Sequence, residues 1–287
     1  MLELAQRIVD GLIDGSLFAL AAIGLSLVFS VQRFANVSQA GLMSAGAYVG
    51  LAGSSLGLSF GFVFLFAILS GAILGIVVFL LAFRPFRNAS RITLLVASIA
   101  ADLVLRNVVA MIWGRSLQGY PVPNIGSIEV GGLAISRAGM IVTGIALLSM
   151  TVLWAIVMHT RIGREMRALA DLPELSRLVG ISADRVHLWA WSMVGVVSAI
   201  AGVCLAWRSS LSPDLGWHAL LAAFAAAILG GMGDIRGAVV GGFVMGVAGE
   251  IATMFAPSTF KPVLAFAVMT LVLLVRPQGI FGKRQRV

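Results

Sequence analysis

The 287-residue chain is 60% hydrophobic and only 11% charged, with a formal net charge of +8. Soluble domains hold roughly 25% charged residues. The apolar excess is gathered into long runs between short polar clusters, as in a polytopic membrane protein whose crossings each take about 20 apolar residues. The basic residues lie in the connections between these runs, with no basic face of interleaved aromatics, which argues against nucleic acid as a partner.

The amino end, MLELAQRIVDGLIDG, lacks a basic leader region and a small-residue cleavage site, so it reads as the start of the first span and not as a removable signal. That span is Ile8–Val31, with Asp10 and Asp14 in its first turns at the outer interface. Val37–Leu58 follows, rich in Gly, Ala and Ser. Phe60–Phe83, Ile92–Trp113, Ala138–Met158 and Val186–Trp207 are the clearest spans, and Leu215–Met232, Ile235–Phe255 and Phe260–Val275 complete the series. These runs predict an all-α membrane domain over residues 1–287, of about eight transmembrane helices, with one sizeable cytoplasmic loop at 159–186.

Basic residues orient the chain, because cytoplasmic connections carry the excess of Lys and Arg. Arg84, Arg87 and Arg91 go inside, with Arg161, Arg164, Arg167, Arg177 and Arg185 of the long loop. Alternating crossings put Arg33, Arg236, Arg276, Lys283, Arg284 and Arg286 there too. Arg7, Arg115, Arg137, Arg208 and Lys261 face outward, and Arg106 stays within a span. The amino end is then periplasmic and the carboxyl end cytoplasmic.

Ionisable residues at membrane depth pair, face the protein interior or line a path. Asp102 and Arg106 are four residues apart, hence on one helix face, with Asn107 beside them. They are read either as a self-satisfied pair or as groups that touch a polar solute. Glu250 is a second intramembrane acid, suited to an interhelical hydrogen bond or to solute contact.

In the loop HTRIGREMRALADLPELSRLVGISADRV, Arg161–Ala170 has helical periodicity and Leu172 precedes a proline, which disfavours continued helix. Pro173 suits the first turn of a second short helix, Pro173–Val179, with Glu174 near its positive end and Gly180 just past its end. A solvated linker accounts for the charges here but not for Leu169, Leu172, Leu175, Leu178 and Val179. These predict an apolar docking patch below the membrane.

The run AILGGMGDIRGAVVGGFVMG carries Gly233, Gly237 and Gly241 at four-residue spacing, and Gly242 and Gly246 likewise. That spacing stacks small residues on one helix face for close packing, with a turn at Gly233–Gly237. No G-x-x-x-x-G-K-[ST] phosphate loop occurs, so nucleotide hydrolysis belongs to another chain. GSSLG at Gly53–Gly57 lacks the strand-turn-helix setting of a nucleophilic serine. His159, His187 and His218 are far apart, without partners at metal-ligand spacing, and Cys204 is a lone apolar-run cysteine. No metal site and no enzyme activity is expected.

Four ordered segments resemble one family, the LivH-type permease subunit of branched-chain amino acid ABC transporters. They are DGLIDGSLFALAAIGLSLVFSVQRFANVSQAGLMSAGAYVG, AFRPFRNASRITLLVASIAADLVLRN, the loop itself, and FAAAILGGMGDIRGAVVGGFVMG with the ending VRPQGIFGK. The resemblance implies a bacterial inner-membrane subunit paired with a LivM-like permease or a second copy of itself. Two LivG/LivF-like ATPase subunits, which bind ATP and Mg, and a periplasmic solute-binding protein complete the implied assembly, with no cofactor on this chain. The loop then corresponds to a coupling helix, with Arg164, Arg167, Asp171, Glu174, Leu175, Leu178 and Gly180 as docking residues. Asn36, Gln39, Asp102, Arg106, Asn107 and Glu250 become pathway candidates. Where the family reads N-x-A-H-G-E, this chain has Asn36, Val37, Ser38, Gln39, Ala40 and Gly41. The implied solutes therefore extend from hydrophobic amino acids to small amphipathic carboxylates and amides. The competing reading is a stand-alone ion-coupled transporter using Asp102, Arg106 or Glu250.

Overall fold

The computed structural model describes residues 2–57, 60–87, 89–120, 126–255, 257, 261–276 and 279–281. Leu58, Phe260, Pro277, Gln278, Gly282 and the basic residues Lys283, Arg284 and Arg286 lie outside them. Eleven helices appear among the described residues. They are α1 (Leu2–Gln32), α2 (Gln39–Ser55), α3 (Phe60–Val78), α4 (Arg91–Trp113), α5 (Arg137–His159), α6 (Arg161–Asp171), α7 (Pro173–Leu178), α8 (Ala183–Arg208), α9 (Leu215–Gly230), α10 (Ile235–Ala252) and α11 (Lys261–Val275).

Six of these are long and apolar enough to cross a membrane. With the shorter apolar α2, α9 and α11, the number brackets the expected eight. The all-α class holds apart from one hairpin, β1 (Ser127–Val130) with β2 (Leu133–Ser136), antiparallel with Ser127 opposite Ser136. The Gln6 side chain of α1 pins this hairpin, donating to the Ala134 carbonyl at 2.9 Å and accepting from its amide at 3.0 Å. The bundle thus has a hairpin end and, opposite, a loop end that carries α6 and α7.

Glycine decides which helices touch. A Cβ on Gly11 would lie 2.7 Å from the Val247 Cα, and one on Gly15 would lie 2.9 Å from the Phe243 Cα, so α1 and α10 run antiparallel in near backbone contact. α3 and α8 form a second such seam, in which a Cβ on Gly71 would sit 2.5 Å from the Gly195 carbonyl oxygen. Small-residue seams suit helices that cannot rely on a hydrophobic drive within lipid. The outer faces of α3, α4 and α5 instead expose large apolar side chains such as Phe62, Ile73, Val104, Met111 and Leu148.

Two connections are irregular inside the bundle. Phe34–Ser38 joins α1 to α2, and Phe34, Asn36 and Ser38 are fully or nearly fully buried. Non-helical backbone at membrane depth persists only where protein satisfies it. Here the Val37 amide donates to the Ser98 hydroxyl of α4 at 3.1 Å, and Ser38 donates to the Asn36 side-chain oxygen at 2.7 Å. Between α8 and α9, Leu211 is fully buried and exchanges both backbone hydrogen bonds with Gln118.

Candidate functional site

The six pathway candidates fall in three separate places. Asn36 and Gln39 belong to the α1–α2 break and are wholly buried within the subunit. Gln39 donates to the Ala21 carbonyl at 2.6 Å, and a Cβ on Gly24 would meet its amide at 2.5 Å. These two residues hold the break closed and line no open surface.

The second place is built around Arg106. Its guanidinium lies 2.8 Å from Asp102 on the previous turn of α4 and 2.7 Å from Asp214 at the start of α9. The Trp217 ring lies beneath it, 4.9 Å from centroid to guanidinium carbon, a cation–π distance. Asp102 is fully buried, whereas the Asp214 side chain is 58% exposed. Two carboxylates on one guanidinium leave no free cation, and the three charges sum to −1. Asn107 is exposed; it donates to the Leu103 carbonyl at 2.8 Å and accepts from Arg115 at 3.2 Å.

Asp214 and Trp217 escaped the sequence reading. Asp214 follows Pro213 and precedes an apolar run, which is an ordinary helix-cap signature. It does occupy the N-cap position of α9, yet its side chain makes no capping bond and is spent on Arg106. With Trp217, His218 and Leu221 it forms one exposed face of α9, polar where neighbouring outer faces are apolar.

The third place surrounds Glu250. A cavity of about 110 Å³ opens among α1, α9, α10 and α11, with Asp14, His218 and Glu250 in its lining. Arg7 reaches Glu250 at 3.7 Å and Arg208 reaches Asp14 at 2.9 Å, so each acid has a cation beside it.

At the loop end, Thr160 caps α6 by accepting from the Gly163 amide at 3.2 Å. The Arg167 side chain turns back onto the end of α5, bonding the Val157 and Met158 carbonyls. It therefore fixes α6 to α5 and presents little to a partner. Arg164 is exposed and reaches the His159 carbonyl at 3.4 Å. Leu169, expected in the docking patch, is 4% exposed and joins the core beneath α6 with Met166. The patch that remains is Leu172, Leu175, Leu178 and Val179, from 56% to 83% exposed, flanked by exposed Asp171 and Glu174. The Ile181 amide donates to the Ser176 carbonyl at 3.0 Å across Gly180, whose φ of 82° permits this helix ending.

Behind the patch, Arg33 donates to the Ala170 carbonyl at 3.2 Å, tying α6 to the α1–α2 break. The connection continues through packed rings: Phe34 against Phe83 at 5.4 Å, and Phe83 against Trp191 at 4.4 Å. Phe83 ends a π-helical turn, Phe79–Phe83. Gln32 accepts from the Trp191 indole at 3.3 Å and bonds His187 at 2.5 Å.

The glycine rows serve two partners. Gly237 and Gly241 of α10 abut Gly230 and Ala226 of α9, while Gly242 and Gly246 abut Ala19 and Gly15 of α1. Gly233 is no part of either face. It lies in the turn before α10 with φ 94°, and Asp234 caps that helix through the Arg236 and Gly237 amides. The turn thus spans Gly231–Asp234, earlier than the predicted Gly233–Gly237.

Residues 7–274 match the family described as branched-chain amino acid transport system, permease component. The chain is 31% identical to the high-affinity branched-chain amino acid transport system permease protein LivH of Salmonella typhimurium, over 97% of this chain and 95% of that one. It is 29% identical to the permease protein BraD of Pseudomonas aeruginosa, with the same coverage. Among solved structures, an inward-facing metal-chelate type ABC transporter shares the fold, with a TM-score of 0.54 at 16% identity over 94% of this chain and 85% of that one.

Proposed function

We propose that this chain, which belongs to the permease component family of branched-chain amino acid transport systems, carries hydrophobic amino acids or related small amphipathic carboxylates and amides inward. Its assembly would comprise a LivM-like second permease or a second copy, two LivG/LivF-like ATPases holding ATP and Mg, and a periplasmic binding protein. The hairpin end, with the amino terminus, faces the periplasm. The loop end and carboxyl terminus face the cytoplasm of a bacterial inner-membrane protein.

The observation that carries the reading is the patch on α7. Leu175 and Leu178 of this six-residue helix, with Leu172 and Val179 at its two ends, expose four large apolar side chains at the loop end, and α6 behind them is tied to α5 by Arg167 and to the break by Arg33. A short helix held this way can pass a push into the bundle as a rigid body. The solute path follows the exposed polar face of α9 past Arg106, because polar groups at membrane depth face protein or water and not lipid. Arg106 would there act as one partner of a carboxylate-bound cluster, touching the solute's own charged ends through Asp214 and Trp217.

Co-purification of the chain with its cognate ATPases tests the docking. Leu178→Asp with Leu175→Asp should abolish the complex while leaving the chain folded. Unaltered assembly and solute-stimulated ATP hydrolysis would count against this loop as the docking element. Screening the partner binding protein against amino acids, carboxylates, amides and sugars tests the solute class, and a sugar as its only tight ligand would overturn it.

A further inference from the structure

Where the chain turns from α3 into α4, at the loop end, positive charge is gathered on one corner of the bundle. Arg84 and Arg87 both reach Asp184 at the start of α8, at 3.7 and 3.5 Å, with side chains 56% and 64% exposed. One carboxylate thus sets two guanidiniums side by side. Each meets it through a single nitrogen, so most of the five donors on each fork are left over. Arg91 opens α4 and Arg185 follows Asp184, and both are exposed. Four cations against one acid leave the corner at +3.

Charge that merely orients a chain works from any place in a connection, but these arginines are held in place. Pro85 restricts the backbone of the short 3-10 turn Arg84–Phe86, and Phe83 just before it is stacked on Trp191 at 4.4 Å. Directly beside the cations lies bare apolar surface. Ile92 and Val96, 73% and 59% exposed, share one face of α4. That helix packs against the π-helical turn, where Leu81 is 74% exposed. An acidic protein partner would answer the charge and leave this strip uncovered, and so would a free phosphate. A single molecule with an acidic head and an alkyl tail answers both.

We propose that this corner binds one anionic phospholipid of the leaflet at the loop end. Its phosphate lies on Arg84 and Arg87, and an acyl chain runs along Leu81, Ile92 and Val96. Guanidinium forks match phosphate oxygens in geometry as well as charge. A basic site at the membrane surface also favours a lipid of net negative charge over a zwitterionic one. Asp184 both positions the two arginines and repels the phosphate, so it holds the affinity below its maximum. The site goes beyond the importer reading and does not depend on it.

The test titrates the full chain, purified and delipidated in detergent, with dioleoyl phosphatidylglycerol or dioleoyl phosphatidylcholine, and counts bound lipid by native mass spectrometry. Phosphatidylglycerol should bind about tenfold tighter or more. Arg84→Gln with Arg87→Gln should weaken its binding about thirtyfold and leave phosphatidylcholine unchanged. Asp184→Asn should tighten it about fivefold, a gain that damage to the fold would not produce. Glycerol 3-phosphate, which carries the charge without the chains, should not displace the lipid at equal concentration. Equal binding of the two lipids, no loss in the glutamine variant or no gain in Asp184→Asn overturns the site. Displacement by glycerol 3-phosphate overturns the lipid assignment in favour of a simple anion site. Loss of ATPase co-purification in the glutamine variant, with lipid binding intact, overturns it in favour of a protein partner. None of these arms measures uptake, so failure here leaves the importer reading standing.

Discussion

The hairpin-end half and the loop-end half of the bundle differ in which contacts they bury: part-buried charge pairs at one end, packed rings at the other. Toward the hairpin end, part-buried charge pairs join the helices, Arg7 with Glu250, Asp14 with Arg208, and Arg106 between Asp102 and Asp214, beside one ring contact of Tyr48 with Trp113. Toward the loop end the buried contacts are packed rings, Phe34, Phe83 and Trp191, with Gln32 and His187 at their edge, and the charge pairs of Arg84 and Arg87 with Asp184 lie exposed at the surface. Charge pairs can be exchanged for a solute's own charges, which suits the half proposed above to meet a polar solute. Packed rings transmit displacement because close-packed groups are hard to compress, which suits the half proposed above to take force through α6 and α7. The glycine seams of α1 with α10 and α3 with α8 run between the halves.

The comparison breaks most readily at Arg106. Arg106→Gln leaves the fully buried Asp102 without its charge partner and should cost about 3–5 kcal/mol of stability, read as a fall in melting temperature of the purified chain. Asp102→Asn added to it should recover most of that loss. No recovery would mean that charge pairing is not what holds this half. Gly246→Ala drives a methyl into the Gly15 backbone and should cost about 1–3 kcal/mol by overpacking. The same melt, with Gly249→Ala as a control in open space, would show whether the seam is as tight as it is drawn. Leu178→Asp alone should weaken association with the ATPase by about 2 kcal/mol, roughly thirtyfold, as for a buried interface anchor, measured by titration of the ATPase onto the permease in nanodiscs. Asp214→Asn should change stability by under about 1 kcal/mol, because the Asp214 carboxylate is largely exposed and Arg106 keeps Asp102 as its buried partner. Its effect on uptake should exceed its effect on melting, which separates a path-facing group from a structural one.

The architecture was largely legible in the sequence because lipid imposes long apolar runs and glycine spacing imposes contacts. Gly242 and Gly246, four apart, implied a close neighbour without saying which, and the structure assigns it to α1. Pro173 and Gly180 bracketed α7 through their fixed backbone preferences, and the helix ends one residue before the predicted Val179. The candidate site was less legible, since it is assembled from distant turns. Asp102 and Arg106 share a helix face and so betrayed each other, but Asp214 is more than a hundred positions away and looks like a simple cap. Gln39 and Asn36 stood out as polar residues in an apolar stretch; their role in closing a buried break depends on Ala21 and Ser98, which no local pattern connects to them. Leu169 followed the periodicity of its neighbours, yet α6 turns it inward because Arg167 anchors that helix against α5.

The central claim is that force enters this chain from an ATPase at the loop end and moves a solute admitted at the hairpin end. The most direct measurement is leucine uptake into proteoliposomes under two conditions: the complete assembly supplied with ATP and no ion gradient, and this chain alone supplied with a proton or sodium gradient and no ATP. The account predicts uptake in the first and none in the second. Gradient-driven uptake by the chain alone, with no response to ATP in the assembly, would contradict it.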